Sequence, residues 1–61
     1  MNLKREAEMA TEIARAWGVA GLRLAQIDKG DLGKVQEMEE YILKAETLRR
    51  EFFALLETKI R

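Results

Sequence analysis

Sixty-one residues, eleven basic against eleven acidic side chains, and no Cys, His or Pro already exclude much. A chain of about 60 residues buries only ~60% of its unfolded surface, so one small domain is the limit; disulfides and thiolate metal sites are out, and so are the usual general base and the commonest nitrogen ligand. Zero formal charge speaks against a bulk electrostatic partner such as duplex DNA or an anionic membrane, while 36% charged and 48% apolar residues suit a soluble, patterned chain.

The N-terminus, Met1-Asn2-Leu3-Lys4-Arg5-Glu6, is charged from the start and lacks the apolar run of a secretory signal. The longest uncharged stretch, Ala16 to Leu22, is far shorter than the ~20 residues a bilayer requires. A cytoplasmic protein without membrane contact is therefore expected, of cellular, viral or plasmid origin.

The first predicted element is a helix over about 3–29. Ala, Glu, Leu, Arg, Lys and Met dominate it, and no proline interrupts it. Leu3, Ala7, Ala10, Ala14, Trp17, Gly21, Leu24 and Ile27 recur every three or four residues, the period of an amphipathic helix. The one break follows, at Asp28-Lys29-Gly30-Asp31-Leu32-Gly33-Lys34. Gly30 is placed to end the helix in a left-handed conformation, with Lys29 near the carbonyl ends and Asp31 as N-cap of the next helix. That second helix is expected over about 31–61, with Val35, Met38, Ile42, Ala45, Leu48, Phe52, Leu55 and Leu56 in its apolar stripe. A turn of about 30–31 implies antiparallel neighbours, so the expected fold is a single all-α domain, an antiparallel two-helix hairpin.

Reflecting one arm onto the other about the turn sets Ile27 against Val35, Leu24 against Met38 and Gly21 against Tyr41. Further out, Trp17 meets Ala45, Ala14 meets Leu48, Ala10 meets Phe52 and Ala7 meets Leu55. Large residues then face small ones along most of the seam, as packing at native density requires. The expected hairpin core is thus Ala10, Ala14, Trp17, Gly21, Leu24, Met38, Tyr41, Ala45, Leu48, Phe52 and Leu55, with Trp17, Ala45 and Phe52 its mainstays. Met9, Ile13, Ala16 and Ala20 form a second stripe on the first arm, and Ile42, Phe53, Leu56 and Ile60 lie beside the seam on the second. Two helices offer each other one stripe only, so this surplus is expected to form an intersubunit core, a homodimer closing as a four-helix bundle.

Trp17-Gly18-Val19-Ala20-Gly21-Leu22 is the least ordinary stretch, because two glycines inside a helix cost ~1 kcal/mol each relative to Ala. Close approach of a neighbour is the expected compensation, with Gly21 making room for Tyr41 and Gly18 for another chain; a hinge or ligand notch is the competing reading. Val19 and Leu22, near the expected solvent face beside Arg15 and Gln26, are assigned to a further protein contact.

Other features have plain explanations. Asp28, Gly33 and Glu39 match the first, sixth and twelfth positions of a calcium loop, but Gly30 and Leu32 fall where oxygen ligands are needed. Glu8 with Glu12 and Glu37 with Glu40 share helix faces, yet the histidine that di-iron bundles add is missing, so no metal or other cofactor is expected. Glu40 with Lys44 and Glu46 with Arg50 are spaced as exposed ion pairs. Thr11, Thr47 and Thr58 have no base to activate them, so no catalytic residue is assigned. Lys4, Arg5, Lys59 and Arg61 converge at the open end with Arg49 and Arg50 nearby, but Glu6, Glu8, Glu51 and Glu57 interleave with them and break the positive stripe. Phe52-Phe53 reads as core plus interface rather than a base-stacking platform.

Ile27-Asp28-Lys29-Gly30-Asp31-Leu32, followed by Met38, Glu40 and Tyr41, resembles the turn and second helix of the exonuclease VII small subunit. The likeness covers the middle third of the chain; Lys44 stands where that family tends to have glycine, and Trp17 to Leu22 has no counterpart. What it implies is a short helical hairpin serving as accessory to a large catalytic chain. The residues themselves lead to a non-enzymatic protein-interaction module that self-associates and presents a surface to a larger protein, as an accessory subunit, chaperone, inhibitor or adaptor. A dimeric nucleic-acid-binding regulator using the open-end cations is the alternative.

Overall fold

The structure, a computed structural model, describes residues 2–60. It is all-α: helix α1 (Lys4–Asp28), one 3₁₀ turn (Leu32–Lys34) and helix α2 (Val35–Ile60) fold back on each other as an antiparallel hairpin measuring 47 × 14 × 12 Å. The start of α1 is held by Asn2, whose Oδ1 accepts the Lys4 N–H at 3.1 Å and so satisfies one of the donors a helix leaves open at its first turn.

Gly30 ends α1 in the way its position implies. Its φ of 106° lies in the left-handed region that only glycine enters cheaply. The Gly30 N–H donates to the Ile27 carbonyl at 2.9 Å and the Asp31 N–H to Gln26 at 3.0 Å, the paired bonds of a Schellman cap. Asp31 departs from expectation. It makes no side-chain cap, and it precedes the 3₁₀ turn instead of α2, which begins only at Val35. With its N–H committed to α1, the chain uses Leu32–Lys34 to complete its reversal. The expected end of the second helix at Arg61 lies outside the described residues.

The seam runs along a different stripe of α1 from the one expected. Ala16 and Ala20 are buried, Met9, Ile13, Arg23 and Ile27 are half-buried, and Glu6 is buried at the open end. These positions advance by three and four residues alternately, the spacing of a helix seam. Across from them α2 presents Ala45, fully buried, with Met38, Tyr41, Ile42, Leu48, Phe52, Leu55 and Leu56 half-buried around it. The stripe on α2 is therefore the expected one, with Ile42 and Leu56, assigned to the subunit interface, drawn into its edges, whereas on α1 the two stripes exchange places. Ala10, Ala14, Trp17, Gly21 and Leu24, assigned to the hairpin core, are exposed, Trp17 by 43% and Leu24 by 56%. Met9, Ile13, Ala16 and Ala20, assigned to a subunit interface, close the hairpin itself.

The physical reason is approach distance. Ala16, Ala20 and Ala45 let the two backbones come close at mid-length, while an indole there would hold them apart. The polar ends of the true seam are matched across it. At the open end Lys59 Nζ donates to Glu6 Oε1 and to the Asn2 carbonyl, both at 3.1 Å, and lies 2.8 Å from Glu6 Oε2. Toward the turn, Arg23 Nε donates to Glu37 Oε1 at 3.1 Å. Both pairs fall within about a turn of the mirror-image register expected from the sequence.

Candidate interaction surfaces

The hairpin has two broad sides of opposite character. On one, Glu12, Arg15, Ala16 and Val19 of α1 and Tyr41 and Lys44 of α2 line a shallow groove of about 290 Å³. Glu8 and Thr11 continue it toward the open end, and Glu37 and Glu40 toward the turn. Most of these groups are charged or hydroxylated, and several have intrachain partners. Glu37 takes hydrogen bonds from both Arg23 and Lys34; the guanidinium of Arg23 is the main reason its carboxyl is held below the usual glutamate range. Glu40 accepts from Gln36 at 3.5 Å instead of pairing with Lys44 as expected. Among the described residues no group of three or more acidic side chains gathers in a metal-holding arrangement.

The other side follows from helix geometry. Trp17 sits two residues before Val19, about 200° round the helix, so it projects away from the groove. Ala7, Ala10, Ala14, Gly21 and Leu24 share its flank at helical spacing, and all are exposed. On α2 the same reasoning sets Glu46 opposite Lys44, with Ile42, Arg49, Phe53 and Ile60 following along its flank. Phe53 and Ile60 are exposed, and Ile42 is half-buried.

The two helices treat this side differently. On α2 that flank is charged, and Glu46 and Arg49 are already engaged within the chain. Arg49 pairs with Glu46 at 3.4 Å, in place of the Arg50 pairing expected, and its guanidinium stands 5.9 Å from the Phe53 ring centre. Phe52 meets Phe53 edge-to-face at 5.4 Å. On α1 the stripe from Ala7 to Leu24 carries no charge at all.

The glycines sharpen that contrast. A Cβ built on Gly18 or Gly21 would meet nothing within 4 Å. The expected contact of Gly21 with Tyr41 is absent, because Tyr41 opens onto the opposite groove. Each glycine still forgoes ~1 kcal/mol of helix propensity relative to Ala. Nothing within the hairpin compensates for it.

The remaining assigned residues divide between the sides. Val19 is half-buried in the groove; Leu22, 64% exposed, points away from the seam beside Arg15. Leu32 and Leu43 are exposed apolar residues outside both expected stripes. The Thr11, Thr47 and Thr58 hydroxyls all donate to carbonyls of their own helices. Of the open-end cations, Lys59 and Arg49 are engaged within the chain, Lys4, Arg5 and Arg50 are exposed, and Arg61 lies outside the described residues. No described helix is long and apolar enough to cross a membrane.

Compared with protein-family models, curated proteins and solved structures, the chain matches none.

Proposed function

We propose that this chain is a non-enzymatic protein-interaction module, a helical hairpin that pairs with a second copy and serves as a small accessory or adaptor subunit. The observation that carries this reading is surface area. The hairpin exposes 4769 Å², against ~4,100 Å² expected for a folded monomer of 7.1 kDa, a surplus of about 700 Å². One partner in a standard-size interface contributes ~800 Å², so the surplus is close to what a second copy would cover. The shape agrees, because a radius of gyration of 14.3 Å exceeds the ~10.5 Å of a compact domain of this length.

The buried core is also thin. Among the described residues the buried apolar ones are three alanines, and no large side chain is completely enclosed. A domain so small gains stability from disulfides, a metal or association when its core is thin; this chain has no Cys or His. Engagement of Lys59 and Arg49 within the chain favours a protein partner over a nucleic acid.

Sedimentation velocity across a dilution series, from low to high micromolar, tests the reading at two salt concentrations. The expected result is a monomer–dimer equilibrium that changes little with ionic strength, since apolar contacts are not screened. A single monomeric species at every concentration would sink it.

A further inference from the structure

We infer that the two copies meet through α1, side by side and antiparallel, with Trp17 of each lying against Gly21 of the other. The inference rests on the self-association proposed above. Three observations carry it. First, the stripe Ala7, Ala10, Ala14, Trp17, Gly21 and Leu24 is exposed and uncharged, whereas the neighbouring flank of α2 carries Glu46 and Arg49. Packing α1 against α1 leaves that ion pair at the wet rim, whereas packing α1 against α2 would bury it. Second, a two-fold interface must be complementary to itself. Run antiparallel and crossed near Val19, the stripe sets Trp17 opposite Gly21 and Ala14 opposite Leu24, each pairing occurring twice. The two large residues of the stripe then meet small ones, and Ala10 falls opposite Asp28 at the exposed end of α1. Third, the space beside Gly21 is open in the single hairpin, with nothing within 4 Å of a built Cβ. A helix crossing near its middle also lets two 47 Å rods overlap along most of their length, as the surplus area requires.

The occupant is a second copy of this chain. A different protein with an apolar helix could lie on the same stripe, and the dilution series separates the two, since only a second copy makes coverage depend on this chain's own concentration.

Trp17 is the chain's single tryptophan, so its emission reports its own coverage. In the unaltered protein, emission should shift to the blue and acrylamide quenching should fall as concentration rises through the association range. Gly21→Leu fits the open space of the lone hairpin and fills the notch. It should keep helicity by circular dichroism, weaken association at least tenfold and move the protection of Trp17 from quenching to correspondingly higher concentration. Leu22→Lys, on another face, should associate like the parent. Because the chain has no Cys, mixing Ala14→Cys with Leu24→Cys chains under mild oxidation should give a mixed disulfide dimer, with little cross-linking of either alone.

Association with Trp17 equally quenchable throughout would overturn the α1 crossing while leaving self-association standing, and that reading needs no variant to fold. A Leu22→Lys loss matching that of Gly21→Leu, or absence of the mixed disulfide, would overturn it too. A monomer at every concentration would instead overturn the proposed function itself.

Discussion

The two ends of the hairpin are held by different means. At the turn the chain itself joins the helices, and backbone hydrogen bonds around Gly30 and Asp31 fix the reversal; Glu37, with its two cations, is added on a half-exposed surface. At the open end no covalent link exists, and helix termini there would fray first. Among the described residues the one buried charged group stands at that point. Glu6 is 2% exposed and receives the Lys59 ammonium, which also binds the Asn2 carbonyl. Glu6 Oε2 accepts no hydrogen bond of its own and depends on the ion pair for compensation. The lesson is one of leverage, because a charge pair matters most where nothing else closes the structure.

The largest effect of disturbing this contrast belongs at the turn, and in the backbone. Gly30→Ala forces a Cβ into the left-handed region and should cost ~1–2 kcal/mol, read as a lower urea midpoint with unchanged helical signal. Next comes Glu6→Gln. The hydrogen bond from Lys59 is the main cause holding the Glu6 carboxyl below the usual glutamate range. A carboxyl depressed in the folded state contributes stability above its unfolded pKa and loses it as pH falls through the folded value. The parent should therefore weaken on acidification below the ordinary glutamate range. Glu6→Gln should be less stable at neutral pH and show a shallower acid limb, with faster amide exchange confined to the first turns of α1 and the last turns of α2. Uniform acceleration along both helices would mean the open end is not a separate unit.

Much of this architecture was legible in the sequence, because helix propensity, the Gly30 stop and the period of α2 all point the same way. The phase of α1 was not. That helix carries two stripes at seam spacing, and an apolar count favours the one with Trp17 and Leu24. The stripe that closes the hairpin contains two charges, Glu6 at its start and Arg23 near its end, and these look like interruptions until Lys59 and Glu37 are seen across from them. Side-chain volume misled in the same direction. A large aromatic is usually a core residue, but a two-helix seam set by Ala16, Ala20 and Ala45 has no room for one. Apolar residues in excess of one seam are plain in the sequence, but on α1 the exposed ones are Ala10, Ala14, Trp17, Gly21 and Leu24, the set that the apolar count places in the core.

The smallest expected effect is the one that completes the comparison of the ends. Glu37→Gln removes a carboxylate with two cationic partners, Arg23 at 3.1 Å and Lys34 at 3.4 Å, one more than Glu6 has. Counted as ion pairs, it should matter more. Yet its side chain is 39% exposed, so solvent and salt screen the pairs, and the turn already holds this end together. Its melting midpoint should shift less than that of Glu6→Gln, and high salt should reduce the Glu6→Gln shift proportionately less, because the Glu6 carboxylate is buried even though its Lys59 partner is 38% exposed. A Glu37→Gln midpoint as low as that of Glu6→Gln would show that the turn leans on side chains as heavily as the open end does, and the contrast between covalent and electrostatic closure would fail.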